Sequence, residues 1–298
     1  MKARKRFAGW LKLSVVALVW AYIVLTVGGA ILFGVQMTGS AKTSICCETP
    51  ANHGFDFENI TLTTRDGVHL KGWYIPSKNQ AAVILLHGYS GNRLGMLDHA
   101  EFLARRGYGV LLYDQRACGE SEGDSLSWGW NDVYDVAATI EFVQARSDVE
   151  RERIGVMGCS TGAEIAIASA AQYDALRATV ADAPFYTVAE DTFPPRTLYD
   201  WSVKPMTSLF IQVIEWRSGT TAPMPLTRAV TKIAPRPLFL ISTGQDTELW
   251  QAEYYYDLAH EPKTHWNIPE ATHCGGLAAR PQEYTERVVS FFDNALLK

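Results

Sequence analysis

The first 47 residues contain no acidic residue, and residues 13 to 35 carry no charge of either sign. A helix without charge over that length is not a solvated surface helix, and it is long enough to cross a bilayer. The rest of the chain lacks the opposite feature, a basic cluster. Six of the 27 basic residues lie before residue 48, which leaves 21 against all 32 acidic ones, a net charge of −11. That balance excludes a surface built to neutralise phosphates and argues against nucleic acid as a partner. Cysteine is scarce, five in 298 residues, and Cys118, Cys159 and Cys274 match no metal-ligand spacing. No Leu-x-Gly-type lipobox precedes Cys46 and Cys47, so pairing between chains, acylation and free thiols all stay open for these two.

What is present divides the chain. Lys2, Arg4, Lys5 and Arg6 precede the apolar run from Phe7 to Met37. By the positive-inside rule the N-terminus is then cytoplasmic, and everything after Thr38 lies across the membrane. A cleaved signal peptide is the alternative, with Gly39, Ser40 and Ala41 as small processing residues and a secreted product. The run exceeds an ordinary signal core, which favours an uncleaved single-pass anchor. Residues 1–38 are therefore read as cytoplasmic N-terminus and anchor, 39–57 as linker, and 58–298 as a folded domain.

Within that domain Asn59–Thr64 and Val68–Ile75 alternate around Arg65-Asp66-Gly67 and predict an antiparallel pair. The pattern then changes to short apolar runs, Ala82–Leu86, Gly109–Tyr113, Arg153–Met157, Ala178–Ala181, Pro237–Ser242 and His265–Ile268, with helical segments between them. One such helix runs from Asn131 to Arg146, with Val133, Val136, Ala137, Ile140 and Val143 on one face. Alternation of this kind predicts an α/β fold with a mostly parallel sheet covered on both sides. Between Met157 and the helix beginning at Ala163 stands Gly158-Cys159-Ser160-Thr161-Gly162. A sharp strand-to-helix turn at that point exposes a serine hydroxyl beside a helix N-terminus, and the glycines leave room for the turn.

Taken together, Leu86-His87-Gly88-Tyr89-Ser90-Gly91-Asn92, Asp114-Gln115-Arg116-Ala117-Cys118-Gly119-Glu120-Ser121, the pentapeptide, Gly244-Gln245-Asp246 and His273 resemble the α/β-hydrolase superfamily, over roughly residues 57 to 298. The chain looks like the membrane-anchored serine hydrolases of that superfamily, whether esterase, lipase or serine aminopeptidase-like. Ala117 departs from the glycine usual after the arginine. The resemblance implies Ser160 as nucleophile, an acid and His273 following it in the chain, and no cofactor or metal. Asp246, past the strand Pro237–Ser242, is the predicted acid, with an N-cap as its structural alternative and Glu248 and Asp182 as fallbacks. The backbone N–H groups of Tyr89 and Thr161 are the predicted oxyanion donors, and His87 is structural. Cys159 and Cys274 read as small apolar fillers.

The stretch from about 184 to 232 interrupts the pattern and is the expected lid. It holds six prolines, at 184, 194, 195, 205, 223 and 225. Met206, Leu209, Phe210, Val213 and Trp216 or Arg217 fall on one helical face. With Phe185, Tyr186, Phe193, Tyr199 and Trp201 they suggest an apolar acyl pocket, of which Phe185, Tyr186, Met206 and Phe210 are the candidate lining; a lid that is merely well packed is the alternative. The expected activity is cleavage of carboxylic esters through an acyl-enzyme, on small-molecule or lipid-like substrates. A peptidase or amidase with the same triad is the close rival, with Glu190, Asp191 or Glu215 as possible carboxylates for a free amine. A tethered binding domain without catalysis is the rival from another class.

Overall fold

The computed structural model describes residues 2–192 and 197–298. Its elements follow in chain order. The N-terminal helix α1 (Lys2–Met37) leads to β1 (Ala41–Lys42), β2 (Glu58–Thr63), β3 (His69–Ile75) and β4 (Gln80–Leu86), and then to α2 (Leu97–Arg105). Next come β5 (Gly109–Tyr113), β6 (Cys118–Gly119), α3 (Asp132–Gln144), β7 (Val149–Cys159), α4 (Thr161–Gln172) and β8 (Leu176–Asp182). The lid region contributes α5 (Leu198–Ser218) and α6 (Leu226–Ala229). The chain closes through β9 (Leu238–Thr243), α7 (Asp246–Leu258), β10 (Lys263–Ile268), α8 (Gly276–Ala279) and α9 (Pro281–Leu296).

Eight strands form one sheet in the order β10-β9-β8-β7-β4-β5-β3-β2. From β10 to β5 all neighbours are parallel, and β3 and β2 add antiparallel strands at the edge. The expected α/β-hydrolase fold is present. Side-chain alternation on β4 shows how the two layers are built: Ala82, Ile84 and Leu86 face one core with α3 and α4, while Ala81, Val83 and Leu85 face the other with α2 and α9. A strand buried on both faces has no polar side to show, which is why its sequence is an unbroken apolar run. The C-terminal ends of β4 and β7 meet at Leu86 opposite Gly158, and Cys159 pairs with Asp182 of β8. The site assembles there.

The stretch 39–57 lies against this domain. Ala41 and Lys42 pair with Cys118 and Gly119, His53 sits between Glu48 and Glu101, and Phe57 packs on Trp73. Ala117 takes a left-handed φ of 62° where glycine would be free of strain. The loop around it is held by bonds from Ala41 N–H to its carbonyl and from its own N–H to Glu122. In the same loop Arg116 pairs with Asp66 and the buried Asp135, and its guanidinium holds the Asp66 carboxyl down at about 2.

The helix α1 is long and apolar enough to cross a membrane over Gly9–Met37, 29 residues. The predicted lid helix is α5, running parallel to α1 and packed along it. Phe193, Pro194 and Pro195 lie outside the described residues, as does the side chain of Tyr199.

Candidate active site

The turn after β7 places Ser160 at φ 54°, ψ −126°, a conformation a side-chain-bearing residue adopts only under constraint. The constraint is visible on both sides. A Cβ on Gly158 would lie 2.0 Å from the carbonyl oxygen of Gly162, and one on Gly162 would lie 2.2 Å from that of Leu86. The motif's glycines are therefore required by backbone contact, and Ser160 N–H is pinned to the Asp182 carbonyl at 2.8 Å.

His273 stands in the loop between β10 and α8, with its Nε2 2.9 Å from Ser160 Oγ. Its Nδ1 lies 2.6 Å from Glu248 Oε1. Glu248 is fully buried in the first turn of α7, and its other oxygen accepts the Thr243 hydroxyl. The bond to Glu248 raises the His273 pKa above its ordinary 6.5, partial burial opposes the shift, and the charges of Glu248 and Asp182 add to it.

Asp246, the acid expected from the sequence, is not in this chain of contacts. It is the exposed first residue of α7 and makes no bond to His273. The reason is the path of the turn. Gly244 runs so close to Pro269 that a Cβ would lie 1.8 Å from its carbonyl oxygen, and the helix starts at once. Residue 246 then points to solvent, where a first-turn acid is stabilised by the helix dipole. Two residues on, the longer glutamate side chain reaches inward. Asp182, the other fallback, gives one carboxylate oxygen to the Tyr284 hydroxyl at 2.5 Å, and burial lifts its pKa to about 6.

Cys159 and Cys274 are joined by a disulfide with Cα atoms 6.0 Å apart, and are not the separate fillers the sequence suggests. The signal for it was present. Each cysteine adjoins one member of a pair whose side chains must touch, so the two backbones approach within bridging distance.

Ser160, Thr161, His273 and Glu248 border a cavity of about 480 Å³, closed by Tyr89, Trp128, Phe185, Tyr186, Glu164 and Gln245. Gly88 packs against Ser160, with a Cβ there at 3.4 Å from the serine Cβ, which brings the Tyr89 segment to Ser160. His87 faces away from the chemistry. Gln115 N–H donates to its Nε2 at 3.0 Å, its Nδ1 donates to the Gly88 carbonyl at 2.8 Å, and burial lowers its pKa to about 4.

Phe185 and Tyr186 are at the cavity wall as expected. Met206 and Phe210 are not: Phe210 packs on Phe33 of α1 and on the back of Trp128, and Met206 faces Gly29. Helical spacing revealed an apolar face but not that α1 would cover it. Of the acids proposed as amine ligands, Asp191 is buried and spent on Thr187 and Thr227. Two wall residues escaped the sequence reading. Trp128 has a left-handed φ of 53° and packs tilted against the Tyr89 ring, 4.9 Å between centroids. Glu164 is the one charge in the otherwise apolar α4. Its Oε1 accepts Phe185 N–H, its Oε2 has no hydrogen-bond partner among the described residues, and burial lifts its pKa to about 8.

Three comparisons place this geometry among known proteins. The sequence profile of the family described as serine aminopeptidase, S33, matches residues 77–235. The uncharacterized protein YfhR of Escherichia coli O157:H7 is 30% identical over 252 residues, covering 80% of this chain and 81% of that protein. The uncharacterized protein YqkD of Bacillus subtilis is 25% identical over 237 residues, 76% of each. Among solved structures, an esterase of Pyrococcus furiosus superimposes with a TM-score of 0.72 at 27% identity, covering 87% of this chain and 98% of the esterase.

Proposed function

Since the chain belongs to the serine aminopeptidase S33 family and is a hydrolase, we propose that it cleaves carboxylic esters through an acyl-Ser160 intermediate. The observation that carries this reading is the continuous path Ser160 Oγ, His273, Glu248, with 2.9 Å and 2.6 Å contacts, opening on an aromatic cavity.

In this reading Ser160 Oγ attacks the substrate carbonyl carbon while His273 Nε2 takes the hydroxyl proton. Glu248 accepts Nδ1–H and so stabilises the imidazolium, and the Thr243 hydroxyl holds the Glu248 side chain in place. The carbonyl oxygen, now negative, lies toward the backbone N–H groups of Thr161, at the start of α4, and Tyr89. The tetrahedral adduct collapses, and the imidazolium gives its proton to the departing alcohol. Water then attacks the acyl-serine as His273 takes one of its protons, and the returning proton restores Ser160 as the acid leaves. No step calls for a metal or cofactor. We also read α1 as a membrane anchor with the hydrolase domain on the non-cytoplasmic side.

Amide or peptide cleavage is the second reading, favoured by Glu164, a carboxyl at the cavity wall that could receive a substrate amine. With its pKa near 8 that carboxyl is mostly protonated at neutral pH, which suits a neutral ester better than an ammonium. Rates on p-nitrophenyl esters of increasing chain length and on aminoacyl anilides separate the readings. Ester cleavage that rises with chain length and vanishes in Ser160→Ala is expected; faster anilide cleavage would reverse the assignment.

A further inference from the structure

The helices α1 and α5 touch along a continuous register. Tyr22 donates its hydroxyl to the Ser202 carbonyl at 2.9 Å, Gly29 faces Met206, Phe33 packs on Phe210 at 5.2 Å, and Arg217 bonds Thr38 at 3.2 Å. Both numbers rise together, so the helices are parallel. Gly34 lies so close to Val213 that a Cβ on it would be 2.6 Å from the valine Cγ1.

The two halves of α5 differ. Phe210, Ile211 and Ile214 are buried with Trp130 and Val188 of the hydrolase domain. Below them the helix continues beside α1 with Leu198 90% and Trp201 61% exposed. At about 1.5 Å per residue, Lys204 lies roughly 9 Å below the level of Phe210, Trp201 about 14 Å and Leu198 about 18 Å. A headgroup layer of about 5–8 Å on a half-bilayer of about 15 Å puts Lys204 just inside the apolar boundary. There a long cationic side chain can reach back to the headgroups. Trp201 and Leu198 then fall within the hydrocarbon, with Asp200 between them at about 15 Å. At the upper end the carbonyl of Met37, the last residue of α1, accepts bonds from Tyr89 Oη at 2.9 Å and Trp128 Nε1 at 3.0 Å, both residues of the catalytic cavity wall.

We propose that α5 is a second membrane-embedded segment: its first half lies in the non-cytoplasmic leaflet beside α1, and the catalytic cavity opens at the surface of that leaflet to esters held in it. The proposal rests on the reading of α1 as an anchor. It explains why the lid's apolar face meets α1 and why large apolar side chains such as Leu198 and Trp201 stay exposed where α5 leaves the domain.

The test uses the full chain with Cys46→Ser and Cys47→Ser, reconstituted in phosphatidylcholine vesicles and exposed to a charged, water-soluble maleimide. Single cysteines are placed by Leu198→Cys and Trp201→Cys, with Thr221→Cys as the exposed loop control and Leu18→Cys as the anchor control. All four positions are exposed in the protein, so the substitutions leave its packing intact. Labelling at 198 and 201 at least tenfold slower than at 221, and as slow as at 18, is the expected result. Fast labelling at 198 and 201 with 18 protected overturns the proposal while leaving the anchor. Fast labelling at 18 as well overturns both.

Discussion

The Ser160 turn and the α1–α5 pair are held by different means. At the turn, backbone meets backbone: Gly158 and Gly162 leave no space for a single carbon, and Ser160 is tied to Asp182 and bridged across by the Cys159–Cys274 disulfide. Along α1 and α5, side chains interleave on one face, while the outer faces carry exposed apolar groups such as Leu18, Leu25, Leu198 and Trp216. The first arrangement fixes atoms to the precision that proton transfer demands. The second fixes only a helix direction and leaves a surface for its surroundings.

The strongest way to break this contrast is at the acid. Glu248→Gln is expected to lower kcat on the order of 10³–10⁴-fold, since the group orienting the base loses its charge. Asp246→Asn, two residues away and exposed, should change it by less than about twofold. The pH profile adds a second reading. Activity needs neutral His273, so it falls as pH drops through that group's pKa. Glu248 raises this pKa, and the residual activity of Glu248→Gln should therefore persist to lower pH. Equal losses in the two variants, or an acid limb that stays in place, would remove Glu248 from the role.

The disulfide sharpens the comparison next. It closes 115 residues of sequence separation, and the denatured-chain argument credits such a loop with about 4–5 kcal/mol. Cys159→Ser with Cys274→Ser should lower the stability measured in urea by about 2–4 kcal/mol, and thiol reductant should do the same to the wild type alone. Unchanged stability in both would mean that the hydrogen bonds hold the His273 loop without it.

The elbow was legible in the sequence because everything that makes it is local: five residues, a strand before and a helix after. The acid was misplaced by two positions because its direction depends on the residue at which α7 begins, which is decided by the approach of Gly244 to Pro269, 25 residues away in sequence. The disulfide was signalled locally, by a cysteine beside each of Ser160 and His273, once those two are taken to meet. On α5 the apolar face was readable and its partner was not, since spacing tells that a face is covered and never by what. Glu164 could have been found as a lone charge in an apolar helix.

Glu164→Gln isolates the cavity wall. The folded carboxyl keeps its proton up to about pH 8, whereas the unfolded chain gives it up near the ordinary 4.5. The unfolded state therefore binds fewer protons between those values, and wild-type stability falls as pH rises, by about 1.4 kcal/mol per unit at most. The glutamine variant lacks this loss, so its advantage should be nil at pH 4, grow to about pH 8 and then level. A pH-independent difference would mean that Glu164 is ionised in the folded protein.

The acyl-serine itself is tested most directly by treating the full chain with a fluorophosphonate and locating the adduct by mass spectrometry. The account predicts a single adduct on Ser160, formed slowly in Glu248→Gln and not at all in Ser160→Ala. An unlabelled wild type, or an adduct on any other residue, would contradict it.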